Sequence, residues 1–188
     1  MNGSNVTRAT LVLVAVLALT GSALAQQTGP ALRAHASIRG CEDAGISGQA
    51  TLTERPSSEG VKLVDIEIEV SGMKPGTHAV HIHENASCSP CGDAKGHFDP
   101  GPNSNSNPDG NHPFHMGDLI NIEVGADGKG RMKTTTSRVT LSPGPLSVFD
   151  EDGSAFIIHV DPDTYCPDGV EKGCAGGARA ACGIIEKG

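Results

Sequence analysis

The chain has 188 residues, a net charge of −8 and no tryptophan, enough for one packed core and too acidic to favour nucleic acid or an anionic surface as partner. Aromatic residues make up 3% of it, so β-branched residues and leucine must fill that core. Six cysteines, Cys41, Cys88, Cys91, Cys166, Cys174 and Cys182, are an even number, as expected of disulfides in an exported chain.

The opening reads as an export signal. It carries Arg8, an almost wholly apolar run over residues 11–19, and Ala23-Leu24-Ala25. The run is shorter than the roughly 20 apolar residues of a bilayer span, and Ala-x-Ala is a signal-peptidase pattern. Residues 1–25 are therefore expected to be a removed secretory signal, and residues 26–188 a single periplasmic or secreted domain with no membrane span. Without Arg8, 13 basic residues face 22 acidic ones.

After a loose leader at residues 26–30, residues 32–38 alternate apolar with polar, and residues 46–53 are expected to pair with them as a hairpin across the turn-rich stretch 40–45. Residues 61–70 set Ile66, Ile68 and Val70 against Asp65, Glu67 and Glu69, the pattern of an antiparallel strand with one wet face. Pro75-Gly76 then turns the chain into Gly76-Thr77-His78-Ala79-Val80-His81-Ile82-His83-Glu84. Residues two apart on a strand share a face, so His81 and His83 aim two imidazoles at one point, and neutral imidazole is the commonest metal ligand. The competing reading makes them polar outward positions alternating with inward Val80 and Ile82. Glycine, proline and asparagine crowd residues 85–116; a structureless loop of that length in a compact domain is either functional or a misread element, and the metal-type residues inside it favour function.

Strand pattern returns at residues 118–124, turns at 126–130 and runs back over 131–141; residues 155–160 read as a buried strand, 161–179 as a second long loop and 180–185 as the closing strand. Eight short strands, two long functional loops and no convincing amphipathic helix predict an all-β antiparallel sandwich or barrel with Greek-key connections.

Histidines recur in Gly96-His97-Phe98-Asp99-Pro100, in His112-Pro113-Phe114-His115-Met116-Gly117-Asp118 and in Ile157-Ile158-His159-Val160. A lone imidazole in an apolar strand, such as His159, is more often a satisfied core residue than a ligand; only company makes it a candidate. Taken together, the residues resemble the copper/zinc superoxide dismutase family over most of the mature chain. GTHAVHIHE is similar to the family's G-x-H-G-F-H-V-H-E, GHFDP to G-H-F-N-P, HMGDL to H-x-G-D-L, and GARAACGII to G-x-R-x-A-C-G-V-I.

The resemblance implies copper on His81, His83, His97 and His159, with His97 bridging to zinc on His115 and Asp118. His78 would brace loops by hydrogen bonding outside the ligand set. Asp163, four residues after His159, would link the histidines of the two metals. The family's further zinc histidine would fall near Asn105, Ser106 and Asn107, where this chain has none. Either His112 supplies the fourth ligand, the reading preferred here, or zinc is weakened or lost, as in copper-only relatives. The resemblance makes Arg179 the residue that guides and holds an anion and His97 a carrier of the proton in turnover; because the protein is acidic overall, Lys172 in the second long loop is a candidate steering charge, opposed by Glu171 beside it.

The same resemblance joins Cys182 to a cysteine of the first long loop. Cys88 matches the bacterial spacing and Cys91 the eukaryotic one, with Cys88 preferred; Cys166 and Cys174 could staple the second loop, and Cys41 is left with the remainder. The implied activity is dismutation of superoxide by alternate reduction and reoxidation of copper, protecting the cell envelope. The alternative is a secreted copper-binding or buffering protein without turnover, which would have no need of Arg179. Superoxide is the expected partner, and a homodimer remains open.

Overall fold

The computed structural model describes residues 31–42, 45–101, 107 and 109–188. The expected signal of residues 1–25 lies outside the described residues, as do the leader and Asn105 and Ser106. Three long strands come first: β1 (Leu32–Gly40), β2 (Ser47–Pro56) and β3 (Lys62–Ser71). Their alternation turns Ala36, Ile38, Leu52, Ile66 and Ile68 into the core, each at most 2% exposed, and each large side chain so buried contributes about 1.5–3 kcal/mol. β1 pairs antiparallel with β2, Leu32 opposite Glu54, and β2 with β3, Ser47 opposite Ser71.

Seven shorter strands complete the sheet: β4 (Gly76–His78), β5 (Val80–His83), β6 (Ile122–Val124), β7 (Gly130–Thr136), β8 (Ala155–His159), β9 (Arg179–Ile184) and β10 (Glu186–Lys187). Their order is β4-β6-β7-β3-β2-β1-β9-β8-β5, with β10 against β1. The two ends of that path, β4 and β5, are neighbours in sequence, so the chain itself spans the gap and the sheet is a nearly closed barrel. The fold is all-β and antiparallel, as the alternation predicts, with ten strands among the described residues in place of eight.

One of the two additional strands is β10, and the other arises at the histidine strand. It divides at Ala79 because its halves serve different partners, β4 pairing with β6 and β5 with β8. Ala79 leaves the ladder: its N–H donates to Asp161 O and its carbonyl accepts from His159 N–H, both at 2.9 Å. The stretch 118–124 is strand only over Ile122–Val124, because Asp118 turns inward to face the imidazoles, and the strand expected over 131–141 stops at Thr136.

The first long loop is fastened to β5 by backbone. Ile82 N–H donates to Gly117 O at 2.9 Å, Phe98 N–H to Ile82 O at 2.9 Å and Gly117 N–H to Phe98 O at 2.8 Å. Gly117 is required there, since a Cβ would stand 2.2 Å from the Ile82 carbonyl oxygen. Between β8 and β9 the register shifts: Ile158 faces Ala181, but His159 faces Arg179. Ala180 is thus the extra residue of a β-bulge, and bulges re-aim the neighbouring side chain.

Three disulfides close the loops. Cys88–Cys182 and Cys41–Cys91 hold the first loop, around its 3-10 turn at Cys91–Ala94, to β9 and to the end of β1, while Cys166–Cys174 closes a hairpin in the second loop. Closures of this kind typically stabilise a domain by about 2–4 kcal/mol. Among the described residues no helix is long and apolar enough to cross a membrane.

Candidate metal centre

All four residues of β5 are buried. The outward, solvated reading of His81 and His83 is therefore wrong: Val80 and Ile82 enter the apolar core, while the imidazoles enter a second, polar interior. His159 reaches the same place from β8, and His97 from the loop, joined to β5 by a bridge between His83 and His97. One nitrogen from each of His81, His83, His97 and His159 lies within 4.8 Å of the other three.

The remaining ring nitrogens decide which atoms face inward. His81 Nε2 is 3.0 Å from Asp163 Oδ2, His83 Nδ1 is 2.9 Å from Lys95 O, and His159 Nδ1 is 3.0 Å from Gly177 O. Those partners accept an N–H, so each ring carries its proton outside and turns a lone pair to the centre. His81 Nδ1 and His159 Nε2 stand 3.1 Å apart there, and His83 Nε2 and His97 Nε2 are buried with no hydrogen-bond partner. A buried polar atom without a partner costs about 1–3 kcal/mol, and several converging on one point fit a cation.

A second group adjoins the first through His97. Its Nδ1 is 2.7 Å from Asp118 Oδ1, and His112 and His115 each place Nδ1 3.2 Å from Asp118 Oδ2. Neither of those two Nδ1 atoms is aligned to hydrogen bond, and both are buried. One ligand atom from each of His81, His97, His112 and Asp118 also lies within 4.8 Å of the others. His81 is thus common to both sets, and His115, outside the second set, lies beside it with Nδ1 near Asp118 Oδ2 and both ring nitrogens buried without a hydrogen-bond partner. Three imidazole nitrogens and one carboxylate are a donor set suited to tetrahedral zinc, and four imidazoles suit copper.

Asp163 connects the groups. Its carboxylate meets His81 Nε2 on one side and His112 Nε2, at 2.7 Å, on the other. His78 is different: its ring nitrogens face His159 O at 2.9 Å and Lys74 O at 2.8 Å, leaving none free for a metal.

Charge follows this geometry. Burial pushes His81 down to about 3 and His159 down to about 4, and lowers His83 and His97 as well. At neutral pH these rings are neutral, as ligation requires. Burial would lower His112 too, but the carboxylates of Asp118 and Asp163 raise it to about 9. Burial opposes ionisation of both those carboxyls, yet the facing imidazoles hold each well below the usual carboxylate range.

Arg179 stands beside the first group. Its Nη1 donates to Cys91 O at 2.5 Å and its Nη2 to Lys95 O, and its charge helps depress His83 and His159. A pocket of about 280 Å³ opens over His159, with Lys172 and Asp109 on its wall.

A model of the copper/zinc superoxide dismutase family matches residues 46–185. The chain belongs to that family. A Deinococcus radiodurans protein named as a Cu-Zn superoxide dismutase is 38% identical, over 94% of this chain and 96% of that relative. An Aquifex aeolicus protein named Cu-Zn superoxide dismutase 2 is 36% identical, over 93% and 96%. Among solved structures, a SOD-like protein from Bacillus subtilis superposes with a TM-score of 0.61 at 31% identity, over 80% of this chain and 96% of that one.

In this dismutase-family chain, several residues that the sequence did not single out hold the site together. Asn121 pairs with the backbone of Asp163, donating Nδ2–H to its carbonyl at 3.0 Å and accepting its N–H at 2.9 Å. Arg138 Nη1 donates to the carbonyls of Pro113 and His115, at 3.2 and 3.0 Å. Asp109 accepts N–H bonds from Gly173 and Ala175 in the second loop, at 2.9 and 3.2 Å. Lys95, with φ 62°, turns one carbonyl to both His83 and Arg179. Asp109-Gly110 carries a turn signal, but nothing local names the loop it grips, and Asn121 and Arg138 carry no signal of their own.

Proposed function

We propose that this chain is an exported superoxide dismutase, converting two superoxide ions and two protons into oxygen and hydrogen peroxide. His81 Nδ1, His83 Nε2, His97 Nε2 and His159 Nε2 would hold copper, and the Nδ1 atoms of His97, His112 and His115, with Asp118, would hold zinc. The unpartnered nitrogens of His83, His97, His112 and His115 support that division. The copper, when bound, supplies a one-electron acceptor for one superoxide and a one-electron donor for the next.

The chain's own residues do the rest. Arg179, held by two carbonyls, presents a guanidinium to an incoming anion, and Lys172 on the pocket wall adds local positive charge against the acidic protein as a whole. His97 Nε2, in the half of the cycle when it does not hold the metal, would carry a proton toward the departing peroxide, and Asp118 at Nδ1 would orient the ring. Asp163 keeps His81 and His112 in the tautomers that leave Nδ1 free. His78 braces β4 against β8.

The observation that carries this reading is the meeting of four buried imidazoles with Arg179, because a copper buffer has no use for an anion-binding guanidinium. Three disulfides, with no free cysteine among the described residues, support an oxidising compartment outside the cytoplasm; residues 1–25 would be the signal that directs the chain to the periplasm or the medium. Mature protein loaded with copper and zinc is expected to dismutate superoxide far above the same copper free in buffer. Full copper occupancy with no rate above that background would refute the reading.

A further inference from the structure

The Cys41–Cys91 bridge supplies no ligand atom to either group of imidazoles, yet it is tied to Arg179 and its neighbour from two sides. Four links close a ring there. Arg179 Nη1 donates to Cys91 O at 2.5 Å; Cys91 is joined through sulfur to Cys41; Cys41 N–H donates to Ala180 O at 2.9 Å; and Ala180 is the bulge residue that follows Arg179. Cys41 therefore holds both the backbone that carries the guanidinium and the segment that receives it.

Apart from the bridge, that segment is fixed by one side-chain hydrogen bond, Asn85 Nδ2–H to Asp93 O at 2.8 Å, and by the burial of Cys91 and Ala94. The turn Cys91–Ala94 lies in no ladder, and its own backbone bonds are local, Asp93 N–H to Pro90 O and Lys95 N–H to Gly92 O. Cys88–Cys182 ties the chain three residues before Cys91, and the His83 contact with Lys95 O ties it four residues after. Between those points only the Cys41 bridge pins the carbonyl of Cys91 covalently. The bridge packs against a small apolar cluster with Ala94, Ala155, Ile157 and Cys182.

We propose that Cys41 is a positioning residue for Arg179: through its bridge to Cys91 and its hydrogen bond to the bulge, it preorganises the guanidinium for a small monoanion. The proposal rests on the reading of Arg179 as the anion-binding group. A flexible arginine must otherwise be ordered when the anion arrives, at a cost of about 0.5–1.5 kcal/mol in affinity.

The test uses azide on the copper- and zinc-loaded protein, followed by the optical change at copper(II). Cys41→Ser with Cys91→Ser is expected to raise the azide Kd about 2- to 12-fold, the equivalent of that ordering cost, with copper content and the copper EPR spectrum unchanged. In an Arg179→Ala background, itself weaker for azide, the same two changes are expected to have no further effect. An unchanged Kd in the folded, copper-loaded variant would overturn the proposal, and so would an equal loss in both backgrounds, since the bridge would then act on the site as a whole. Should the serine pair not fold, Cys41→Ala with Cys91→Val fills the space and is read the same way. The superoxide assay separates the two levels: loss of the proposed activity with azide still answering to Arg179 and the bridge would refute the dismutase reading alone.

Discussion

The two halves of the centre are built from different material. His81, His83 and His159 stand on β5 and β8, strands in register with Val80 opposite Ile158 and His83 opposite Ala155. His112, His115 and Asp118 stand on a loop outside the strand ladders; a single backbone bridge between His81 and Asp118 anchors its end, and side chains hold the rest: Asp163 on His112, Arg138 on the carbonyl of His115, Asn121 on Asp163 itself. The strand half inherits its geometry from backbone hydrogen bonds that form whatever the ligands are. The loop half has to be assembled from long-range polar contacts, each of which can be removed singly.

The largest effect should come from the strand half. His83→Ala removes one of the four convergent nitrogens while leaving β5 paired with β8. Copper affinity and superoxide turnover are expected to fall by more than the about 10- to 100-fold that loss of an outer partner costs. Near-normal copper retention would mean that the strand histidines are not the ligands.

Asp163→Ala comes next and probes the joint between the halves. It strips His112 and His81 of the carboxylate that fixes their rings. Zinc affinity, measured by competition with a chromophoric chelator, is expected to drop about 10- to 100-fold, and copper affinity by less, because His81 remains on a strand. Equal losses at both metals would erase the distinction drawn between strand and loop.

The smallest effect concerns a carboxylate-held loop far from the imidazoles. Glu54 Oε2 accepts the N–H groups of Leu141 and Ser142, at 2.7 and 2.8 Å, and Oε1 pairs with Lys62 Nζ at 3.0 Å. Burial would raise its pKa, but these bonds win and lower it from the ordinary 4.5. A lowered folded pKa means stability that is fully present above about pH 4.5 and is lost as pH falls through the lower folded value. Glu54→Gln should therefore unfold about 1.5–3 kcal/mol more easily at pH 7, with the gap closing in acid. A gap independent of pH would show that charge is not what holds this loop.

The same division governs how much could be read from the sequence. Alternation revealed β1, β2 and β3 because each has one face in the core, and His81 and His83 stood out because period two on a strand is a local property. The break at Ala79 was invisible, since it depends on which strands lie beside β4 and β5. His159, in a run of apolar residues, gained meaning only from the other motifs. In the loop half, His112 and Asp163 were found through the family resemblance, while Asn121, Arg138 and Asp109 act on residues 23 or more positions away, a distance no local pattern spans. The joining of Cys41 to Cys91 is of the same kind, set by how β1 passes behind the first loop.

The account turns most directly on His112, the loop residue that would complete the second group. Copper and zinc content of the purified wild type should be measured beside His112→Ala, both after loading with the two metals and dialysis. The account predicts stoichiometric copper in both proteins and zinc in the wild type only. Equal zinc in the two would contradict it.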